Sequence, residues 1–452
     1  MIYAFLKVLS QLTVWGYFRR VKIVGKSTIP AEGPYLFLAN HPSAFMDPIV
    51  VATSVKPSVY FIAAGEYVGR GLKGWVFQKI LHMIPVYRPS TRPEEAHKNK
   101  DMFLKCHEHL ANHGALLIFP EGVSLTEKKL KPLKTGAARI AIGAELEHAL
   151  KLNIPLIPIG LNYSNPHQFR SDLFVKIAPP IYVKDFIQDA SNFSGLSEQE
   201  AIDLARTLTD HVEKVMRSTI LHIDTEDDEA LLTKLEAVFS SEVKRQFNIA
   251  YDDQEEELEM KKDFLKAIHY YKKKDRDAFN NSLEKVDTYL DLLNENGLSD
   301  KDIGEFKKRY FYKRVGTYIL GIPFFLFGSI HNYIPYRLVG IITNRLKVGE
   351  TFQGSIVLAL GLFIFVGWYV GLAILAGFLG LGWYALLYPI LCYVFGLYAL
   401  VYSTAIRQSL SRRRLRKLVS SNSRLIEDLL IKRYEIVTEI KAVQTAYLLQ
   451  KD

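Results

Sequence analysis

Tyr35-Leu36-Phe37-Leu38-Ala39-Asn40-His41-Pro42-Ser43-Ala44-Phe45-Met46-Asp47-Pro48 is the stretch from which the rest of the chain is read. Its first five residues form an unbroken apolar run, the pattern of a strand covered on both faces. Asn-His-Pro-Ser breaks the run, so the strand ends in a turn that carries a histidine and a carboxylate. If Met46 to Thr53 opens a helix, Asp47 lies in its first turn and folds back beneath the imidazole. A carboxylate so placed fixes the histidine tautomer. The other ring nitrogen is then free to take a proton from a hydroxyl, the work of a general base. The same residues also describe a polar turn with a helix-capping Asp, so a second stretch has to decide.

That stretch is Leu116-Leu117-Ile118-Phe119-Pro120-Glu121-Gly122-Val123-Ser124, another apolar strand ending in a turn, with Glu121 placed 80 positions after His41. Together the two resemble the glycerolipid acyltransferases, the family of lysophosphatidate and glycerol-3-phosphate acyltransferases. The family's first block is Asn-His-x-Ser-x-x-Asp and its third is Phe-Pro-Glu-Gly. Here five residues stand between His41 and Asp47, as in glycerol-3-phosphate acyltransferases of the yeast type and many bacterial relatives. Val123-Ser124 replaces the Thr-Arg common after the third block, so an arginine that often helps hold phosphate is missing. Ile84-Pro85-Val86-Tyr87-Arg88 resembles the second block with its phosphate arginine, and Ile154-Pro155-Leu156-Ile157-Pro158-Ile159 resembles the fourth.

The resemblance implies an acyl transfer in which His41 is the base, Asp47 its orienting acid, and Arg88, Glu121, Gly122, Ser124 and Lys134 bind substrate. Glu121 would accept bonds from glycerol hydroxyls or a basic neighbour. Expected partners are an acyl-CoA or acyl carrier protein thioester, a glycerol-phosphate or lysophospholipid acceptor, and membrane lipid. The favoured acceptor is 1-acyl-sn-glycerol 3-phosphate, with glycerol 3-phosphate as the alternative. No metal or other cofactor is called for. The chain has no Gly-x-Ser-x-Gly element, which favours direct attack over an acyl-enzyme. The competing class is a membrane protein whose acyltransferase-like domain only binds lipid; its retention of His41, Asp47 and Phe-Pro-Glu-Gly speaks against that.

Further strands are expected at Val59 to Ala63, Met83 to Tyr87, Leu156 to Leu161 and Leu173 to Ile177. Helices are expected at Gly74 to His82, Glu94 to Asn112 and Gly136 to Leu150. Alternation of this kind predicts an α/β fold, a mixed and mainly parallel sheet flanked by helices. In such sheets, sites form at the carboxyl ends of strands.

At 452 residues the chain holds more than one domain. The acyltransferase domain is expected over 21–190 and a charged helical module over 191–310. Within that module, Asp252-Asp253-Gln254-Glu255-Glu256-Glu257 is a solvated charge run rather than a metal loop, because the central glycine of such loops is absent. Residues 1–20 read as an interfacial helix with Trp15, Tyr17 and Phe18 at headgroup depth; a buried helix is the alternative. The charge order there is wrong for a signal peptide. Residues 315–335, interrupted by Pro323, His331 and Asn332, read as interfacial or re-entrant. Residues 352–406 are nearly free of charge, enough for a hairpin of two spans of about 20 residues each, and 407–452 form a last helix.

Net charge is +9 with 49% hydrophobic residues. Arg412-Arg413-Arg414-Leu415-Arg416-Lys417 stands directly after the apolar stretch, so an anionic membrane surface explains the basic balance better than nucleic acid, for which no signature is present. Arg345 and Lys347 precede the hairpin and the arginine cluster follows it, so both hairpin ends, and the active domain, are expected on the cytoplasmic side. Cys106 and Cys392 are the only cysteines, which excludes a disulfide framework and fits a reducing compartment.

Overall fold

In a computed structural model of the chain, residues 2–69, 71–87, 93–187, 196–246, 253–304 and 315–451 are described. They divide into two compact units, 1–222 with 341–362, and 223–340 with 363–452.

The first unit is built on an eight-stranded sheet: β1 (Arg20–Val24), β2 (Tyr35–Ala39), β3 (Val59–Ala64), β4 (Met83–Val86), β5 (Ala115–Ile118), β6 (Pro155–Tyr163), β7 (Asp172–Ile177) and β8 (Ile181–Tyr182). The order is β1-β7-β6-β2-β5-β3-β4, with β8 pairing β6. β2 lies parallel to both β5 and β6, in register Leu38↔Ile118 and Ala39↔Ile159. Only the β6 pairings with β7 and β8 are antiparallel among the described ladders. The sheet is therefore mixed and mainly parallel, as the sequence predicts.

Both faces are covered, which is why β2 and β5 are apolar throughout. Leu36, Leu38, Leu116 and Ile118 face one core, under α5 (Asn99–Ala111), α6 (Gly136–Glu147) and α7 (Glu198–Thr219). Tyr35, Phe37, Ala39 and Leu117 face the other, under α1 (Ile2–Tyr17) and α2 (Met46–Ser54). Each large apolar side chain so buried stabilises the fold by about 1.5–3 kcal/mol relative to exposure. Short α3 (Gly65–Val68) and α4 (Gly71–Trp75), then a π-helical stretch Val76–Ile80, link β3 to β4. The expected continuous helix from Gly74 is thus a short α-helix running into a π-turn.

Two expectations move. Tyr17 and Phe18 are not at headgroup depth: both are buried in the sheet's second core, and the Tyr17 hydroxyl donates to the Pro166 carbonyl at 2.9 Å. Trp15 does face outward, with Ile2, Phe5, Val8 and Leu12 on the same exposed side. The unit boundary expected at 190 falls after His222 instead. α7 is the cause, because Ala205, Leu208, Val212 and Met216 pack into the sheet's first core. Asn162 also fastens its end, donating to Thr219 O and accepting from Leu221 N.

The second unit is helical: α8 (Glu226–Gln246), α9 (Gln254–Lys274), α10 (Arg276–Glu295), α11 (Asp300–Gly304), α12 (Val315–Arg345, to Gly340), α13 (Glu350–Phe378, from Phe363), α14 (Tyr384–Ser421) and α15 (Ser423–Lys451). Asp253 of the charge run caps α9, accepting from Glu255 N and Glu256 N. α15 is not a separate tail: Arg433 binds Asp300, which also accepts from the buried Tyr289 hydroxyl, and Glu439 accepts from Ser282 and Lys285 of α10.

α12 runs unbroken through Pro323 and Pro335. His331 and Asn332, expected to interrupt it, are satisfied by neighbouring helices instead. Trp368 Nε1 donates to His331 O at 2.8 Å, and His331 Nε2 meets the Tyr388 hydroxyl at 2.7 Å. Asn332 donates to Cys392 O and accepts from Tyr369. Polar groups among apolar helices persist when they are paired in this way. Among the described residues, two helices are long and apolar enough to cross a membrane, Thr351–Phe378 and Tyr384–Ser421, joined through Gly380 and Gly382, both at positive φ.

Candidate active site

Three strand ends meet at one edge of the sheet. β2 leads into the His41 turn and parallel β5 into the Glu121 turn, while β6 runs past both to Tyr163. Asn40, the first residue beyond β2, joins them, donating to Leu161 O at 3.1 Å and accepting from Leu161 N at 2.7 Å.

α2 begins at Met46, so Asp47 lies in its first turn, where the helix N-terminus favours negative charge. Its Oδ2 accepts from His41 Nδ1 at 2.8 Å and from Ser43 N at 2.7 Å. Its Oδ1 accepts from the Tyr163 hydroxyl at 2.8 Å. Asp47 is 0% exposed, and Ser43 N and the Tyr163 hydroxyl both donate to it. An acceptor at Nδ1 puts the imidazole proton there and leaves the Nε2 lone pair outward. No hydrogen bond to Nε2 is made among the described residues, and the side chain keeps 18% exposure. Phe119 stacks on the ring at 4.0 Å and 15°. Burial, and then the charge of Asp47, push the Tyr163 phenol well up, so it stays a proton donor.

Glu121 is placed differently. It is 7% exposed, and its two oxygens accept from main-chain groups, His41 N at 2.8 Å and Lys131 N at 2.9 Å. The expected basic neighbour is thus replaced by two backbone donors. Burial raises its carboxyl above the usual range, with those two hydrogen bonds pulling the other way. Ser124 Oγ accepts from Ala44 N at 2.8 Å. Ala44 has φ 31, a strained value for a residue with a Cβ, and the Ser124 bond helps hold it. Leu125 N donates to His41 O and the Thr126 hydroxyl to Pro42 O, so the two turns are laced along their length. Gly122, at φ 70, lies under Lys134: a Cβ there would stand 2.6 Å from Lys134 Nζ. Lys134 itself is exposed at the mouth of the turn. Arg88 lies outside the described residues.

The structure thus gathers His41, Asp47, Glu121, Gly122, Ser124 and Lys134 at one strand edge. Sequence reasoning missed Asn40, Ser43, Phe119 and Tyr163 as members of the same assembly. Asn40 carried a signal, since it opens the motif; Tyr163 carried none, because it reads as the apolar end of a strand.

Residues 20–162 match the family model described as Acyltransferase. Glycerol-3-phosphate O-acyltransferase 1 of Saccharomyces cerevisiae is 35% identical over 112 residues, 25% of this chain and 14% of that protein. The chloroplastic 1-acyl-sn-glycerol-3-phosphate acyltransferase BAT2 of Brassica napus is 25% identical over 156 residues, 34% of this chain and 40% of that protein. The chain spans less than half the length of these curated relatives. The 1-acyl-sn-glycerophosphate (LPA) acyltransferase PlsC from Thermotoga maritima is 21% identical over 48% of this chain and 78% of its own, with a TM-score of 0.33. Residues 20–162, which hold both the His41–Asp47 turn and the Phe119-Pro120-Glu121-Gly122 turn, are thus the part of the chain that matches the Acyltransferase family model and resembles acyltransferases of glycerolipid synthesis.

Proposed function

We propose that the chain moves a fatty acyl group from an acyl thioester to a hydroxyl of a glycerol-phosphate acceptor at a membrane. The observation that carries this is the His41–Asp47 pair, bonded through Nδ1 at 2.8 Å with Nε2 left to face a substrate. His41 Nε2 takes the acceptor's hydroxyl proton as the oxygen attacks the thioester carbonyl. The C–S bond breaks from the tetrahedral intermediate, and the leaving thiolate takes that proton back from the imidazolium. A base so placed typically contributes about 10²- to 10⁴-fold. Asp47 holds the tautomer and offsets the charge that forms on the ring.

Arg88 and Lys134 are assigned to the acceptor phosphate. Lys134 stands beside the Gly122 turn, and Arg88 follows β4, where the family's second block puts its phosphate arginine. Losing such a charge-assisted contact costs about 1.5–3 kcal/mol. The first acceptor is 1-acyl-sn-glycerol 3-phosphate; the name of the yeast relative favours glycerol 3-phosphate as the second.

For membrane attachment we propose a hairpin of α13 and α14. α15 shares one core with α10 and α11 through Asp300, Arg433 and Glu439, so an even number of crossings separates them. Two spans meet that condition and leave α12 as a non-crossing helix. The arginines after α14 favour a cytoplasmic position for the active domain.

The test is an acceptor screen with purified protein and labelled oleoyl-CoA, using lysophosphatidate, glycerol 3-phosphate and phosphate-free monoacylglycerol. Transfer to a phosphorylated acceptor, lost in His41→Ala and weakened selectively in Arg88→Ala, is expected. Transfer that survives His41→Ala, or prefers monoacylglycerol, overturns the assignment.

A further inference from the structure

α2, the helix whose first turn carries Asp47, has no capping side chain of its own, since Phe45 stands at its N-terminal boundary. A helix start leaves main-chain N–H groups in need of acceptors. Here one acceptor comes from the far end of the sequence. Ser355, in the opening turns of α13, accepts from Met46 N at 2.9 Å and donates to the Ser43 carbonyl at 2.9 Å. Ser43 is the residue whose N–H binds Asp47, and Met46 adjoins Asp47 in sequence. The hydroxyl therefore bridges both ends of the Ser43–Met46 turn, whose own Met46 N to Ser43 O bond is 2.9 Å long.

The surroundings bind the same segment to the other turn. Gly354 N donates to His167 Nδ1 at 3.3 Å, and His167 Nε2 meets the Thr126 hydroxyl at 3.0 Å. Thr126 in turn donates to Pro42 O. A Cβ on Gly354 would stand 2.3 Å from the Pro166 carbonyl oxygen, so glycine is what allows the helix this close. Leu358 then enters the core that holds Met46 and Val50, and Ser355 is only 2% exposed. An apolar helix needs none of this to enter lipid, where its first turns would meet interfacial water and headgroups.

We infer that Ser355 is a positioning residue of the acyl-transfer site: it caps the helix bearing Asp47, so the segment that opens the membrane hairpin also sets the His41–Asp47 geometry. The inference rests on the proposed acyl transfer at His41. The Ser355 hydroxyl is buried and taken up by Met46 N and Ser43 O, so its role is one of position. It keeps Ser43 N and Met46 in the positions that point Asp47 Oδ2 at the imidazole, and small displacements there are costly because catalysis depends on alignment.

The experiment measures oleoyl-CoA thioester release with lysophosphatidate as acceptor, on the full chain in vesicles, for the parent, Ser355→Ala, Ser355→Thr, His167→Ala and His41→Ala. Ser355→Ala should lower kcat about tenfold while KM for both substrates stays within about twofold, the pattern of lost transition-state alignment. Sedimentation with vesicles should be unchanged. Ser355→Thr, which keeps the hydroxyl, should recover most of the rate, and His167→Ala should lower kcat in the same direction. Parent-like kcat in both Ser355→Ala and His167→Ala, beside an inactive His41→Ala, would overturn the positioning role and leave the acyl-transfer proposal standing. A changed KM at parent kcat would also overturn it, by making Ser355 a binding residue. An active His41→Ala would instead overturn the proposed function itself.

Discussion

Asp47 and Glu121 are both buried carboxylates bonded to the same residue, His41, yet they hold different parts of it. Asp47 binds the imidazole, at Nδ1, and is itself steadied by Ser43 N and Tyr163. Glu121 binds the main chain of His41 and of Lys131. The first sets where a proton sits on the ring; the second sets where the ring's backbone sits on the sheet. Nearness to a histidine therefore does not assign a carboxylate to proton chemistry. What assigns it is the atom it is bonded to.

If the contrast is right, substitution at the two acids should separate rate from stability. Asp47→Asn replaces an acceptor-only group by one that also donates: its NH₂ faces either His41 Nδ1 and Ser43 N together or the Tyr163 hydroxyl, and in both cases the charge that offsets the imidazolium is lost. Turnover should fall by about 10²- to 10⁴-fold, close to the loss in His41→Ala. Thioester release by the purified variant checks this, and a rate within an order of magnitude of the parent would break the comparison on the Asp47 side.

Glu121→Gln should act first on the fold. It leaves one of two buried backbone N–H groups facing an amide NH₂, and an unsatisfied buried donor costs about 1–3 kcal/mol. A lower thermal midpoint in detergent is expected. The rate per folded molecule should fall by less than in Asp47→Asn, because Nδ1 keeps its partner. If Glu121→Gln kept parent stability but lost turnover as fully as Asp47→Asn, Glu121 would belong to the chemistry and the contrast would fail.

The residues that distinguish the two acids show where sequence reasoning stops. β2, β5 and the start of α2 were legible because apolar runs and a helix-opening Met-Asp-Pro are local patterns, and the His–Asp pairing followed from their spacing. Tyr163, Asn40 and Ser355 reach their partners over 116, 121 and 309 positions. No periodicity carries such distances. β1 escaped notice for a related reason: Arg19 and Arg20 look like the charged end of an interfacial helix, whereas they bind Asp172 at the edge of the sheet. Hydropathy found the apolar helices α13 and α14 but not that the opening of α13 belongs to the first unit. The polar Gln353-Gly354-Ser355 step within an apolar segment was the signal available for it.

Tyr163→Phe sharpens the Asp47 half. It removes one donor from a carboxylate that keeps two others, so the expected loss is that of a single hydrogen bond to a charged group, about 1.5–3 kcal/mol at most. Turnover should drop by roughly tenfold, less than for Asp47→Asn. An unchanged rate would mean that Ser43 N and the helix start suffice to hold the carboxylate.

The smallest expected effect is a pH dependence of stability, best seen by setting Glu121 beside Asp172. At Glu121, burial raises the carboxyl above its usual 4.5. A folded-state value above the unfolded one means that its contribution is fully present below about pH 4.5 and is lost as pH rises through the raised value. Asp172 has the opposite sign. Burial there also pushes upward, but the hydrogen bonds and charges of Arg19 and Arg20 outweigh it and hold the carboxyl below its usual 3.8. Its contribution is present above about pH 3.8 and is lost as pH falls through the lowered value. Thermal midpoints of Glu121→Gln, Asp172→Asn and the parent, followed across this acid range in detergent, read both signs at once. The deficit of Glu121→Gln should shrink as pH rises above 4.5, and that of Asp172→Asn should shrink as pH falls below 3.8. A Glu121→Gln deficit that widens with rising pH would mean that the two main-chain donors outweigh burial. Glu121 would then be held as a carboxylate by its main-chain donors, and the two acids would differ only in what they touch.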